Sequence, residues 1–382
     1  SQEEQTFTFH HTIQSKAFGD DRELTIYLPP AYYRAKNAKY AVTYVLDGHY
    51  APFIDLVEKT IEYNVNARKF TPTIIVGIHA KNRGQEFWTP PRDQEEPGQA
   101  HTLQQHLREE VIPFVENKYD NLLGYRSIVG HSSGGAFVLA TLFSEEQDLF
   151  DGYLAISPAI RPGGRRDILG EAAQRLATGK PLNKFLYASA GTVGEREDIF
   201  GRIVTKLDST VNAHPNSGLV WEKTIFDGLD HWSVVAPSVI DGLIKQTRNL
   251  RTDEKHLIDF ARNKDQTMGV QIEAFYRERK ASYVFVDVPS AGYISRVADE
   301  VEWAGGATRA IELYDWALTQ YPDDFYFVKE RGMLKKRAGD IPGAKEDLQR
   351  SLQILEKWKS EMPEKEYSAH QEDIRARLEK LN

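Results

Sequence analysis

The chain contains no cysteine. That excludes a disulfide framework, a thiolate metal site and a cysteine nucleophile, and it leaves the redox compartment unreadable. Long apolar runs are also missing: no stretch approaches the roughly 20 residues that a membrane span requires. Nor is there a long basic block. Lys and Arg number 48 against 56 Asp and Glu, a formal charge of -8, which argues against non-specific nucleic-acid binding and says little about small ligands. With 41% hydrophobic and 27% charged residues over 382 positions, the chain reads as a folded protein with one large core and a smaller one, not as a disordered one. It begins at Ser1, not Met, on the polar stretch SQEEQTFTFHH, and the expectation is that something upstream was removed. A cleaved secretory leader is only one reading of that start, and cytoplasmic, periplasmic and secreted locations all stay open.

What is present is a series of short apolar runs rich in β-branched and aromatic residues, at 22–29, 40–48, 71–80, 126–132, 152–159, 184–191 and 220–228. Several are continuously apolar, the pattern of strands covered on both faces. Helical periodicity lies between them, notably at 102–119 and 134–144. Strands alternating with helices predict a mostly parallel sheet with right-handed crossovers, an α/β domain over 1–250.

Beyond residue 250 helical periodicity takes over. Gly305 and Gly339, like Ala310 and Ala344, stand 34 positions apart within GGATRAIELYDWAL and AGDIPGAKEDLQRSL. That offset resembles a tetratricopeptide repeat, so 251–382 is expected to be a smaller all-α, tetratricopeptide-like domain. Two copies fall short of the three or more that stack stably alone, so these helices are expected to dock on the first domain. Structural packing is their simplest role; binding a protein partner or a second copy of the chain is the alternative.

The chemistry concentrates in VGHSSGGAF, residues 129–137, where Gly130-His131-Ser132-Ser133-Gly134 fits G-x-S-x-G between an apolar strand and an apolar helix. A serine hydroxyl needs a neighbouring base, and its attack creates an oxyanion that needs pre-aimed donors. A sharp strand-to-helix turn presents Ser132 for this, and the following amide, Ser133, is an oxyanion donor. In this chain order the acid and then the base follow the serine, which selects His231 in FDGLDHWSVV over His214. Glu195, Glu197 and Asp198, in GTVGEREDIF after the run 184–191, all qualify by position as the acid. Gly48 after YAVTYVLD permits close backbone approach, and the amide of His49 is the second oxyanion donor. His131 lines the turn, and Arg83, Phe87 and Trp88 are candidates to wall the substrate cleft. These steps call for no metal and no organic cofactor.

Taken in order, LPPAYYRAKNAKYAVTYVLDG, IIVGIHAKNRGQEFWTPPRD, VIPFVENKY, YRSIVGHSSGGAFVLATLFSEEQDLFDGYLAISPAI and DGLDHWSVVAPSVIDGLI resemble the putative-esterase family of α/β-hydrolases over about residues 20 to 248. GHSSGGAFVL with DHWSVV is most similar to its siderophore-esterase branch. The resemblance implies a serine carboxylic-ester hydrolase with a small-molecule ester substrate, Ser132 as nucleophile, His231 as base, and Glu195 of GTVGE in the acid position. Arg83 matches an arginine near the substrate cleft of relatives. Acyl transfer to an alcohol, and an idle partner-binding scaffold, are the competing expectations. A departure lies at SPAIRPGGRR, where relatives carry a small residue and Trp-Trp; Arg161, Arg165 and Arg166 would make that rim basic.

Overall fold

The computed structural model describes residues 7–29, 32, 39–67, 69–90, 98–161, 166–215, 218–282, 291–360 and 362–381. The chain divides into two compact units, one of Ser1–Leu250 with Arg279–Asp287, the other of Arg251–Glu278 with Val288–Asn382. Among the described residues no helix is long and apolar enough to cross a membrane.

The first unit is built on β1 (Phe7–Ser15), β2 (Asp20–Leu28), β3 (Tyr40–Val45), β4 (Thr73–Ile78), β5 (Leu122–His131), β6 (Gly152–Ile156), β7 (Lys184–Gly191) and β8 (Leu219–Phe226). They form one eight-stranded sheet in the order β1-β2-β4-β3-β5-β6-β7-β8. Every pair from β4 through β8 is parallel, while β1–β2 and β2–β4 are antiparallel. The continuous apolar runs are explained by helices on both faces. These are α1 (Ala51–Asn66), α2 (Arg83–Glu86), α3 (Ala100–His106), α4 (Ile112–Lys118), α5 (Ser133–Leu142), α6 (Ile168–Ala177), α7 (Glu195–Asn212) and α8 (Val235–Leu250).

Two elements depart from expectation. β1 was not among the predicted strands: its FTFHHTIQS alternates rather than running apolar, because it is an outer strand with residues alternating between exposed and partly covered. The helix predicted over 102–119 is interrupted by a π turn, Leu107–Val111, just before Pro113, whose missing N–H cannot continue the α ladder.

The central position of β5 determines where Ser132 goes. Its neighbours β3 and β6 are both parallel to it, and Ile128 and Val129 are fully buried. Helix α5, which follows directly, is buried along Gly134–Leu142; its sequence is apolar all round because it lies inside the unit.

The second unit is helical: α9 (Glu254–Arg262), α10 (Met268–Ser282) as far as Glu278, α11 (Ala291–Gly305), α12 (Ala307–Gln320), α13 (Phe325–Arg337), α14 (Ile341–Lys357) and α15 (Glu364–Glu379). Helices α11 and α13 begin 34 residues apart, as do α12 and α14, and Ala310 and Ala344 are both fully buried. Ala344, Leu348 and Leu355 of α14 share a core with Tyr367 and Ile374 of α15.

Candidate active site

Three neighbouring parallel strands, β3, β5 and β6, end at one edge of the sheet, and each end carries a strained residue. Asp47 has φ 58°, Ser132 φ 59° and Ser157 φ 43°. None is glycine, so each holds a left-handed conformation that costs on the order of 1 to 3 kcal/mol and persists only where its surroundings enforce it. Ser132 is enforced from β6 and the segment that follows it: its N–H donates to Ile156 O at 2.9 Å, and its carbonyl accepts from Ala159 N at 2.9 Å. Gly130 is needed for this turn, since a Cβ there would sit 2.5 Å from the Gly134 backbone.

The Ser132 hydroxyl meets His231 Nε2 at 3.0 Å. On the far side of the ring, His231 Nδ1 lies 2.6 Å from Glu197 Oε1. Glu197 is fully buried. Its Oε1 also accepts from Ser157 Oγ at 2.5 Å, and its Oε2 from the Gly191 N–H at 2.5 Å. Burial works to raise the Glu197 pKa, but the donors from His231, Ser157 and Gly191 outweigh it and hold the carboxyl below its usual range. An ionised carboxylate so placed keeps Nδ1 protonated and leaves Nε2 free to take a proton from the hydroxyl.

The resemblance points to Glu195, but of the three carboxyl groups that qualify by position it is Glu197 that meets His231. Glu195 opens α7 and is exposed, as is Asp198, which pairs with Arg202 at 2.6 Å. Two residues further along a helix is about 200° of rotation, so when Glu195 faces solvent Glu197 faces the sheet. The loops after β7 and β8 meet closely here. Leu229 O accepts from Thr192 N and Val193 N, both at 3.0 Å, and a Cβ on Gly191 would lie 2.1 Å from that oxygen. Asp230 is no partner of the ring; its carboxylate accepts from Trp232 N and Ser233 N at 2.9 and 2.8 Å, fixing the turn that carries His231.

A cavity of about 740 Å³ opens on Ser132, and His49, Tyr50, Arg83, His131, Arg196 and Trp232 are among the residues lining it. Among the described residues, neither the His49 nor the Ser133 amide N–H donates to a protein acceptor, and Ser133 is the first residue of α5. Gly48 donates its own N–H to Ile78 O at 2.8 Å and so is not a donor to the cavity. Arg83 lines the cavity with two donors engaged, Nε with Asp47 Oδ1 at 2.7 Å and one Nη with His131 O at 3.0 Å. Trp88 does not line the cavity, and Phe87 is fully buried against Phe137. The cavity's tryptophan is Trp232, which is 67% exposed and edge-on to His231. Of the rim arginines, Arg166 pairs with Glu171 at 2.8 Å, Arg161 is exposed, and Arg165 lies outside the described residues.

Ser157, Asp47 and Trp232 were not singled out from sequence. Ser157 stands in the SP at the end of β6 and Trp232 directly follows His231, which were the available signals.

His131 is buried beneath His231, its ring 4.6 Å from that ring, and its Nε2–H donates to His231 O at 3.0 Å. Burial, then the neighbouring His231, lower its pKa to about 4. Below the ordinary 6.5 the unfolded chain takes up a proton that the folded chain refuses. The resulting stability is therefore full above pH 6.5 and drains away as pH falls toward 4, by about 3 kcal/mol. Urea titrations at pH 7.5 and pH 4.5 should show His131→Asn losing about that much less stability between the two than the parent chain. An equal loss in both would refute the reading.

Strand order, a strained serine on the strand-to-helix turn and the ring that meets it define an α/β-hydrolase. The chain belongs to the family described as "Putative esterase", whose match spans residues 15–238, and with it to the esterases. Solved structures share the fold. An IroE-like serine hydrolase from Shewanella oneidensis is 19% identical with a TM-score of 0.64, over 81% of this chain and 98% of that one. An uncharacterised protein from Capnocytophaga ochracea is 13% identical with a TM-score of 0.65, over 91% and 94%. The siderophore hydrolase EstA from Aspergillus nidulans is 21% identical with a TM-score of 0.53, over 63% and 94%. Comparison with curated proteins finds no match.

Proposed function

We propose that this esterase works through Ser132, His231 and Glu197 by way of an acyl-enzyme, on siderophore-type or aromatic esters. The observation that carries the mechanism is the unbroken line from the Ser132 hydroxyl through both nitrogens of His231 to a buried carboxylate. His231 Nε2 takes the hydroxyl proton as Ser132 Oγ bonds to the ester carbonyl carbon. The amides of His49 and Ser133 receive the oxyanion. His231 returns the proton to the departing alcohol, and water then repeats the sequence on the acyl-enzyme, releasing the acid and restoring Ser132.

The substrate reading is supported by the cavity's size and by the exposed rings of Tyr50 and Trp232 beside the exposed Arg196. Aromatic faces and guanidinium groups together suit flat, electron-rich or anionic acyl groups. A solved protein of the same fold is a siderophore hydrolase, which agrees with that reading. Its test is a panel of p-nitrophenyl esters of increasing chain length, a feruloyl ester and a ferric catecholate trilactone. The highest kcat/KM should fall on one of the last two. A strong preference for short simple acyl groups would overturn the substrate assignment.

A further inference from the structure

We infer that Arg83 and Asp47 are positioning residues, a clamp that fixes the separation of the two loops supplying the oxyanion amides; the inference rests on the assignment of those amides to His49 and Ser133. The parallel ladder between β3 and β5 pairs Val45 with Val129, and its last direct backbone bond runs from Leu46 N to Val129 O at 3.0 Å. Past that point the two chains go separate ways. One continues through Asp47 to His49, the other through His131 to Ser133. Among the described residues no backbone bond joins these two stretches. The Arg83 guanidinium spans the gap, donating from Nε to the Asp47 carboxylate at 2.7 Å and from Nη to the His131 carbonyl at 3.0 Å. It thus extends the sheet's cross-link one step beyond where the ladder ends, and each of its two acceptors lies two residues before a donor amide.

The arm that presents Arg83 is itself tied down. Glu86, 1% exposed, accepts from the backbone N–H of Lys81 at 3.1 Å and of Asn82 at 2.9 Å, and from Arg22 at 2.8 Å. Asp47 is buried and left-handed, so its position is not free to adapt. A planar fork with two fixed acceptors transmits a distance, which a single-point ammonium cannot do. An oxyanion hole works only if both donors reach the tetrahedral oxygen together, and displacement of about 1 Å is enough to lose much of the rate.

Arg83→Ala, Arg83→Lys and Asp47→Asn are the variants to make. Asparagine tolerates the left-handed backbone, so Asp47→Asn removes the charge without adding strain and carries the test if Arg83→Ala lowers Tm. With neutral p-nitrophenyl acetate, kcat should fall about 10- to 100-fold in all three while KM stays within about twofold. Affinity for a trifluoromethyl ketone, which forms the tetrahedral adduct, should fall by the same factor as kcat/KM. The double variant Arg83→Ala with Asp47→Asn should be no worse than Arg83→Ala alone. An unchanged kcat with neutral ester, or a raised KM confined to negatively charged esters, would overturn the clamp, the latter making Arg83 a substrate contact instead. Ser132→Ala is run alongside: turnover retained there would overturn the underlying assignment, whereas clamp variants with normal kcat beside an inert Ser132→Ala would overturn only the clamp.

Discussion

Ser132→Ala should lower ester turnover by about a million-fold and abolish labelling by a fluorophosphonate, with Tm nearly unchanged. The hydroxyl makes one polar contact that matters, to His231 Nε2 at 3.0 Å. Removing it leaves that nitrogen facing a cavity open to water rather than an unpaired group sealed in the core. The backbone bonds that hold the turn, Ser132 N to Ile156 O and Ala159 N to Ser132 O, do not involve the side chain and remain. Alanine keeps a Cβ at φ 59°, so the strain at this position is about what serine already bears. The variant therefore separates chemistry from folding. Any residual rate comes from substrate binding and the oxyanion amides alone. Ser133→Ala is the matching control: its contribution is an N–H, which alanine retains, so turnover should stay within about threefold of the parent. Labelling that survives in Ser132→Ala, or moves to Ser133, would sink the assignment of the nucleophile.

The readable parts of this protein were those whose chemistry forces a local sequence pattern. The turn at Ser132 was legible because one this sharp demands small residues around it, and because the stretches next to it, Ile128–Val129 at the end of β5 and Gly134–Leu142 of α5, are buried and almost wholly apolar. His231 was legible from chain order, as the histidine in the loop after the last strand. β1 was not, since an edge strand shielded on one side shows only alternation, which in FTFHHTIQS is weak. The carboxylate that meets His231 lies in the loop the sequence singled out, two residues past the Glu195 of the motif. Choosing between Glu195 and Glu197 depends on where α7 begins and how it is rotated, and Gly194 at φ 92° sets that start without any side-chain cap to announce it. Asp47, Ser157 and Trp232 owe their places to strand ends and loops that meet only in three dimensions.

Glu197→Gln should lower kcat by about ten-thousand-fold, while Glu195→Gln leaves it unchanged. The two glutamates are separated by one residue but by the whole width of a helix: Glu195 is exposed and Glu197 fully buried. Glutamine has the shape of glutamate and yet cannot satisfy the site in either orientation. With its oxygen toward His231 and Ser157, its NH2 confronts the Gly191 N–H that now donates at 2.5 Å, leaving two buried donors face to face. Turned the other way, its NH2 donates to Nδ1, the proton moves to Nε2, and the ring can no longer accept one from Ser132. The carboxylate also leaves a signature in acid. Its pKa is depressed in the fold, so it stabilises the native state above the usual carboxylate range, and that contribution is lost as pH falls through the folded value. Glu197→Gln should flatten this part of the stability profile, which Glu195→Gln leaves intact. Steady-state kinetics with denaturation curves below pH 5 read both effects. A Glu195→Gln variant that lost turnover beside an active Glu197→Gln would return the acid to the position the motif first suggested.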